Sequence, residues 1–207
     1  MPYGTTQNKW DTVIPFDKLW KQYNRIIKDN SAILLFSQMP FGAGLIMSNP
    51  KMFRYEWIWE KTMATGYLNA KKMPLKKHEN IMVFYKHLPT YNPQGLIELE
   101  KAISRQKTHP TNNYGKCDKP YETTHTNYPT DILVYKHDKE KLHPTQKPVA
   151  LLEYLIKTYT NEGDTVLDNC MGSGSTGVAC KNTNREFIGM ELDEKYFNIA
   201  KERIGDN

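Results

Sequence analysis

Residues 165–177 read TVLDNCMGSGSTG and decide the fold that we expect for this chain. A short β-branched and apolar run ends on Asp168, passes through a glycine-rich turn and enters a predicted helix. Glycines let the backbone take φ > 0 and approach a ligand closely, and the helix start offers unpaired N–H groups. A second predicted strand, residues 185–191, ends on Glu191, near the spacing at which an acid reaches a ribose hydroxyl in nucleotide-binding βαβ units. The pattern therefore predicts a site for an adenosine-bearing ligand.

Two cofactors compete for this predicted site. Gly172, Gly174 and Gly177 fit the G-x-G-x-x-G pattern of dinucleotide folds, although such a match alone is weak. Asp168 stands shortly before these glycines, where its carboxylate would face a pyrophosphate. A carboxylate there suits the sulfonium and amino group of S-adenosylmethionine (AdoMet), which carries no phosphate. We therefore favour AdoMet over NAD, and both over an ordinary strand-turn-helix without a ligand.

Composition restricts the class of protein. The chain has 207 residues, of which 39% are hydrophobic and 25% charged, as in one sizeable globular domain with or without an insertion. Its net charge of +5 suits a polyanionic partner but does not decide for one. The sequence has neither an apolar run of membrane-spanning length nor a charged-then-apolar leader, which predicts a cytoplasmic protein with no membrane partner. The three cysteines lie far apart, so no metal site and no disulfide framework are expected.

Predicted strands and helices alternate along most of the chain. The continuous apolar run 32–36 is of the buried, parallel-sheet kind, and residues 80–85 form another buried run. Residues 16–27 place their apolar side chains on one helical face. This alternation is typical of a doubly wound α/β sheet.

Residues 87–142 have a different character, because prolines interrupt a polar segment without clear periodicity. So long an irregular segment in a compact domain is usually functional or mobile. We interpret it as an insertion that contacts the substrate, with a plain surface elaboration as the alternative. Regular structure resumes at His143, so residues 143–207 form the AdoMet-binding part of a single domain, 1–207.

Several segments together resemble the amino-methylating (N6-adenine and N4-cytosine) DNA methyltransferases. Pro2 and Tyr3 match the end of the family's [DNS]-P-P-[YF] catalytic motif, and residues 76–84 resemble the strand that helps to hold the extruded base. The resemblance is strongest in residues 143–148 together with the glycine-rich turn. It implies the permuted order, in which the catalytic motif precedes the AdoMet motif, and is most similar to small phage-type DNA adenine methylases of restriction-modification systems.

The resemblance implies a Rossmann-like AdoMet-dependent methyltransferase sheet, with residues 87–142 in the position of the target-recognition region. In that family the motif accepts hydrogen bonds from the amine and stacks an aromatic ring on the base, roles that fall here on the Pro2 carbonyl and the Tyr3 ring. Glu191 would bind the ribose hydroxyls. The expected cofactor-binding residues are His143, Thr145, Gln146, Lys147, Asp168, Asn169, Cys170, Met171, Gly172, Ser173, Gly174, Ser175, Thr176 and Glu191.

A basic cluster is the candidate contact for double-stranded DNA. Lys71, Lys72, Lys76 and Lys77 flank Pro74 close to His78 and would contact phosphates, although a solvated charged face is an equal alternative. Within the insertion, base edges could be read by Arg105, Lys107, Asn112 and Asn113.

The sequence departs from the family at its first residue. Met1 occupies the second motif position, so no Asp, Asn or Ser stands in the first, and the α-amino group is a donor where the reaction needs an acceptor. The resemblance also implies that two N-terminal strands of the sheet are missing. We expect little methyl transfer by this chain alone, and restored activity with an upstream extension that ends in Asp.

Three explanations for this departure remain open: an internal methionine of a longer protein, a fragment that pairs with another chain, or an inactive relative. The partners therefore include an upstream segment or a second copy of the chain. The expected activity is methyl transfer to N6 of adenine, with a non-catalytic AdoMet- or DNA-binding relative and an NAD-linked oxidoreductase as the alternatives.

Overall fold

The computed structural model describes residues 1–5, 8, 11–105 and 121–205, which form two compact units. The larger unit comprises Met1–Asn92 and Asp131–Asn207, and the smaller one Pro93–Thr130. The helices are α1 (Phe16–Ile26), α2 (Phe41–Ser48), α3 (Val149–Tyr159), α4 (Ser175–Asn182) and α5 (Glu194–Ile204). The strands are β1 (Ile33–Ser37), β2 (Phe53–Thr65), β3 (Lys76–Phe84), β4 (Ile97–Arg105), β5 (Tyr121–Thr126), β6 (Ile132–Tyr135), β7 (Thr165–Asp168) and β8 (Glu186–Gly189).

Four strands form the main sheet in the order β1-β3-β2-β6. Both β1 and β2 run antiparallel to β3, and β6 runs parallel to β2. The prediction of parallel pairing for residues 32–36 is therefore wrong. A continuous apolar run indicates that both faces of a strand are buried, but it does not indicate the direction of the neighbouring strand. Here helices cover both faces of an antiparallel strand.

The core lies on both faces of β3, whose side chains alternate between two clusters. Ile81 and Val83 pack with residues of α3 on one face, while Met82 and Phe84 pack with Trp20 and Leu45 on the other. All four of these β3 side chains are fully buried, which explains why the strand reads as one apolar run. Helix α3 also packs on α4 through a third cluster.

The second sheet of the larger unit consists of β7 and β8, which are parallel and are connected through α4. Gly174 precedes α4 with φ +78°, and a Cβ there would stand 2.8 Å from the Cβ of Ala200 in α5. Glycine at this position therefore allows both the turn and the close approach of α5. At the start of α5, the Asp193 carboxylate accepts hydrogen bonds from the N–H groups of Lys195 and Tyr196.

The smaller unit contains the antiparallel pair β4 and β5. It falls within the expected insertion 87–142, but these two strands were not predicted. Ile132–Tyr135, which lies inside the same expected insertion, instead pairs with β2 in the main sheet. Among the described helices, none combines the length and the apolar character needed to cross a membrane.

Candidate active site

The glycine-rich turn after β7 is fixed by the two carboxylates that end the strands of the second sheet. Asp168 accepts a hydrogen bond from the Cys170 N–H (3.0 Å) through Oδ1 and one from the Thr176 hydroxyl (2.6 Å) through Oδ2. Glu191 Oε2 accepts from the Gly172 N–H at 2.8 Å. An N–H of the turn therefore points at a carboxylate of the protein.

Glu191 is itself held in place by the backbone that follows β8. Its Oε1 accepts hydrogen bonds from the N–H groups of Leu192 (2.9 Å) and Asp193 (3.0 Å). A carboxylate has about four acceptor positions, so three N–H donors do not exhaust it. Leu192 is fully exposed beside this acid.

The segment before α3 contacts the glycine-rich turn directly. Gln146 Oε1 accepts hydrogen bonds from the Ser173 hydroxyl (3.2 Å) and from the Leu142 N–H (3.0 Å). His143 Nδ1 accepts from the Thr145 N–H at 3.2 Å, and its ring meets the Tyr196 ring edge-on at 4.3 Å. Burial lowers the pKa of the His143 imidazole. These contacts fix the orientation of the His143 imidazole.

The residues of the expected catalytic motif are wrapped around the buried carboxylate of Asp11. Its Oδ1 accepts hydrogen bonds from the N–H groups of Tyr3 (2.8 Å) and Gly4 (2.9 Å), and its Oδ2 accepts one from Thr5 (2.9 Å). The Tyr3 ring also packs against Phe41, with 5.3 Å between the ring centroids. Asp11 therefore fixes the backbone that follows Pro2.

A buried ion cluster lies at the other end of the Tyr3 side chain. The Glu79 carboxylate is 2.6 Å from Lys61 Nζ and 2.6 Å from Lys147 Nζ, and its side chain is 8% exposed. The Tyr3 hydroxyl donates to Glu79 Oε2 at 3.4 Å. The Lys147 ammonium also lies 5.1 Å from the centre of the Phe36 ring. One carboxylate thus connects the expected base site with the expected cofactor segment.

The ionisation of this cluster follows from burial and pairing. Burial alone would raise the pKa of the Glu79 carboxyl, but Lys147 and Lys61 outweigh that effect and hold its pKa below the ordinary value. Burial lowers the pKa of Lys147, and Glu79 opposes this shift. Burial and the Glu79 carboxylate together raise the pKa of the Tyr3 hydroxyl. Tyr3 is therefore a neutral phenol at neutral pH.

One cavity of about 1120 Å³ joins the motif residues to the glycine-rich turn. Met1 and Cys170 both line it, so the start of the chain and the turn adjoin the same cavity. Burial raises the pKa of the Cys170 thiol. Predicted residues that line the cavity are Pro2, Tyr3, Lys76, His143, Thr145, Gln146, Lys147, Asp168, Asn169, Cys170, Met171, Gly172, Ser173, Ser175 and Thr176. Gly174 and Glu191 are not among the lining residues, and Glu191 adjoins the lining through the hydrogen bond that it accepts from the Gly172 N–H.

The cavity also continues between the two sheets. Residues of β1 and β7 line its two sides, together with apolar residues of α3 such as Leu155. Among the described residues, β1 pairs only with β3, and β7 pairs only with β8. The cavity exceeds the roughly 300–1,000 Å³ of an ordinary small-molecule pocket because it includes this space between two strand edges.

Four functional contacts were not predicted from the sequence. Besides Asp11 and Glu79, the Tyr23 hydroxyl of α1 donates to Asn169 Oδ1 at 2.9 Å. Arg203 of α5 donates to the Ser173 carbonyl at 2.5 Å. Glu79, Tyr23 and Arg203 each come from an element distant in sequence, so no local spacing could have indicated them, whereas Asp11 lies eight residues after Tyr3.

The basic candidates lie on the hairpin that joins β2 to β3. Lys71, Lys72, Lys76, Lys77 and His78 are all exposed. Lys77 Nζ is 2.7 Å from Glu60 in an exposed ion pair, whereas Lys76 lines the cavity. Lys107, Asn112 and Asn113 lie outside the described residues, as does the side chain of Arg105.

Comparison with known proteins decides the family. The model of the N6/N4 methylase family, described as "DNA methylase", matches residues 3–202, which is nearly the whole chain. The chain belongs to this DNA methylase family. The match includes both Tyr3 and the glycine-rich turn, the two parts that the cavity joins.

Several relatives of this chain are named methyltransferases. The chain is 29% identical over 212 residues to the type II methyltransferase M.HpaI of Haemophilus parainfluenzae, an alignment that covers 98% of the chain and 63% of M.HpaI. It is 28% identical over 196 residues to the DNA adenine methyltransferase YhdJ of Escherichia coli K12, covering 87% of the chain and 63% of YhdJ. The chain thus spans less than two thirds of the length of these relatives.

A solved structure supports the fold of this chain. The M1.HpyAVI–SAM complex superposes with a TM-score of 0.63 at 26% identity, covering 91% of this chain and 84% of that chain. The predicted α/β fold of the AdoMet-dependent methyltransferases is therefore confirmed.

Proposed function

We propose that the chain is the catalytic and AdoMet-binding part of a DNA methyltransferase that methylates the exocyclic amine of an extruded base, with N6 of adenine as the acceptor. Membership in the DNA methylase family and similarity to a named DNA adenine methyltransferase support this proposal. The shared cavity of Tyr3 and the glycine-rich turn gives the methyl donor and the base adjacent places.

The hydrogen bond from the Gly172 N–H to Glu191 is the observation that carries the choice of cofactor. A dinucleotide loop uses its backbone N–H groups to hold a pyrophosphate. Here that donor is directed to a carboxylate, and the Asp168 carboxylate stands at the same end of the sheet. Two acids at the turn favour a cationic ligand without phosphate and count against NAD.

The chain's own residues would prepare the base for attack. AdoMet, when bound, supplies an electrophilic methyl group on its sulfonium. The amine is a poor nucleophile because its lone pair is delocalised into the ring, so acceptors directed at the N–H protons are needed to localise that pair. The Pro2 carbonyl is the proposed acceptor, and the Tyr3 ring is the proposed stacking surface. Asp11 and Glu79 hold this tyrosine at its backbone and at its hydroxyl.

The proposed cofactor contacts divide between the two sides of the cavity. Residues 168–176 would surround the methionine part, while residues 145–147 would approach its amino acid end. Glu191 supports the turn through Gly172 and is the proposed partner of the ribose hydroxyls. Double-stranded DNA is the proposed substrate, with 87–142 as the proposed target-recognition region.

Calorimetry with AdoMet and with NAD tests this function on the chain as it stands. We expect AdoMet to bind and NAD not to bind, and Glu191→Gln to weaken AdoMet binding about 10-fold because a charged acceptor is lost. Glu186→Gln, an exposed acid at the start of the same strand, is the matched control and should leave binding unchanged. Binding of NAD in preference to AdoMet would overturn the proposal.

The non-catalytic alternative needs a separate measurement. Mass spectrometry of nucleosides after incubation of DNA with labelled AdoMet distinguishes N6-methyladenine from N4-methylcytosine and from no product. AdoMet binding without any product, even after the N-terminal extension described in the Discussion, would favour a relative that only binds.

A further inference from the structure

The tip of the β2–β3 hairpin combines exposed apolar side chains with uncompensated lysines. Every residue from 66 to 74 is exposed. Leu68 is completely exposed at 101%, and Tyr67, Met63 and Met73 are 68%, 72% and 52% exposed. Large apolar side chains so exposed at one protruding tip are unusual on a soluble surface and mark interaction sites.

The tip is built as an ordered turn. The Asn69 N–H donates to the Gly66 carbonyl at 2.9 Å, and the Ala70 N–H donates to the Tyr67 carbonyl at 3.1 Å. The N–H groups of Lys72 (2.8 Å) and Met73 (3.0 Å) both donate to the Asn69 carbonyl. These bonds fix the backbone that carries Tyr67 and Leu68, so the apolar side chains project from a defined support.

The positive charges at the tip indicate which kind of partner it fits. None of the ion pairs among the described residues involves Lys71, Lys72 or Lys76, and Lys76 Nζ donates to the neutral side chain of Gln38 at 3.5 Å, so no carboxylate compensates the charges of these three lysines. Phosphates on both sides of an apolar contact are what a duplex presents where a base step is opened. The charge and the apolar surface together therefore fit double-stranded DNA.

The position of the hairpin completes the argument. Thr65 and Lys76, which face each other at the last paired position of β2 and β3, both line the cavity that holds Tyr3. The tip therefore rises from the rim of the cavity into which a base would be extruded. A side chain inserted into the stack at that rim would occupy the space that the departing base leaves.

We propose that Leu68, supported by Tyr67, is a wedge that inserts into the base stack of the substrate duplex, while Lys71, Lys72 and Lys76 hold the flanking phosphates. The proposal rests on the proposed function, because it needs DNA as the substrate, but it assigns residues outside the catalytic motif. It requires no knowledge of the recognition sequence, since both wedge and phosphate contacts also act on non-specific DNA.

Binding of a mixed-sequence duplex at several salt concentrations separates the wedge from the lysines. Leu68→Ala and Tyr67→Ala should each weaken binding about 10-fold at every salt concentration, by the loss of contacts with bases. Lys71→Ala with Lys72→Ala should instead reduce the slope of log K against log salt by about 2. Met47→Ala, which removes a 73% exposed methionine of α2, is the matched control and should change neither quantity.

Two further readouts detect insertion itself. Tryptophan introduced as Leu68→Trp should lose fluorescence on addition of the duplex because of stacking with bases, whereas Met47→Trp should not. Wild-type protein should also unwind relaxed circular plasmid in a topoisomerase assay, and Leu68→Ala should not. Affinity and unwinding that are unchanged in Leu68→Ala, with no quenching of Leu68→Trp, would overturn the wedge while the proposed function stands.

Other occupants of the tip give distinguishable results. Failure of the wild-type chain to bind any duplex overturns both the wedge and the proposed DNA substrate. If the mass measured by sedimentation falls from an oligomer in the wild type to a monomer in Leu68→Ala, with DNA binding unchanged, the tip is assigned to self-association instead. Binding to phosphatidylserine vesicles that is lost in Leu68→Ala, again with unchanged DNA binding, assigns it to a lipid surface.

Discussion

At the scale of single residues, Tyr3 is fixed at both of its ends by acids from other parts of the chain. Asp11 binds its backbone N–H and Glu79 binds its hydroxyl, while Phe41 packs against the ring. A stacking residue is useful only if its ring is already in position, because ordering it during binding costs conformational entropy. These contacts supply that order before the base arrives.

Removal of the Glu79 charge should destabilise the fold strongly. Glu79→Gln leaves the buried ammonium groups of Lys61 and Lys147 without their counter-charge, so we expect a loss of about 3–5 kcal/mol in the free energy of unfolding, measured by urea denaturation. Glu60→Gln breaks the exposed pair with Lys77 on the same two strands and should cost less than about 1 kcal/mol.

The stability effect of Glu79→Gln should also depend on pH. The pKa of Glu79 is lowered in the folded state, so its stabilising contribution is complete above the ordinary value of 4.5 and disappears as the pH falls through the folded-state pKa. The stability difference between wild type and Glu79→Gln should therefore shrink in acid. A difference that stays constant down to the acid transition would contradict the ion cluster.

At the scale of elements, the glycine-rich turn depends on the packing of α5 behind it. A Cβ added at Gly174 would stand 2.8 Å from the Cβ of Ala200 in α5. Arg203 of the same helix donates a hydrogen bond to the carbonyl of Ser173. The turn is therefore shaped by the packing of α5 as well as by hydrogen bonds to Asp168 and Glu191.

A pair of glycine variants isolates this packing. Gly163 and Gly174 have nearly equal φ values, +80° and +78°, but an added Cβ at Gly163 meets nothing within 4 Å. Gly163→Ala should therefore cost only the left-handed strain, about 1–2 kcal/mol, in thermal or urea unfolding. Gly174→Ala adds a clash with α5 and should lower the free energy of unfolding by about 1–3 kcal/mol more. It should also weaken AdoMet binding. Equal losses in the two variants would show that α5 does not press on the turn.

At the scale of the whole molecule, the cavity between β1 and β7 separates the two sheets of the larger unit. Unpaired strand edges carry rows of backbone N–H and C=O groups, which are satisfied best by another strand. The same space opens at the start of the chain, since Met1 and Pro2 line it. A strand placed there would reach the catalytic motif directly.

An engineered N-terminal extension tests this organisation. We expect a β-forming segment ending in Asp, joined before Met1, to raise the melting temperature and to give methyl transfer from labelled AdoMet. The same extension ending in Ala should raise the melting temperature equally but give little transfer. It would fill the space without supplying the side-chain acceptor of the first motif position. Full activity of the 207-residue chain without any extension would refute the expectation.

The sequence by itself determined the strand-turn-helix around Gly172 and the runs that became β1, β3 and β7, because these depend on local spacing and on burial of consecutive residues. It also indicated the family, which the comparison confirmed. Helix α1 (Phe16–Ile26) lies within one residue of the predicted bounds 16–27, since its apolar periodicity is a local signal.

Only the tertiary structure decided which distant groups meet. The antiparallel pairing of β1 with β3 and the Glu79 carboxylate at Tyr3 depend on contacts between segments far apart in the chain. A local pattern reports whether a side chain is buried, but it does not report which partner buries it. For this reason the glycine-rich turn was predictable and the ion cluster beside Tyr3 was not.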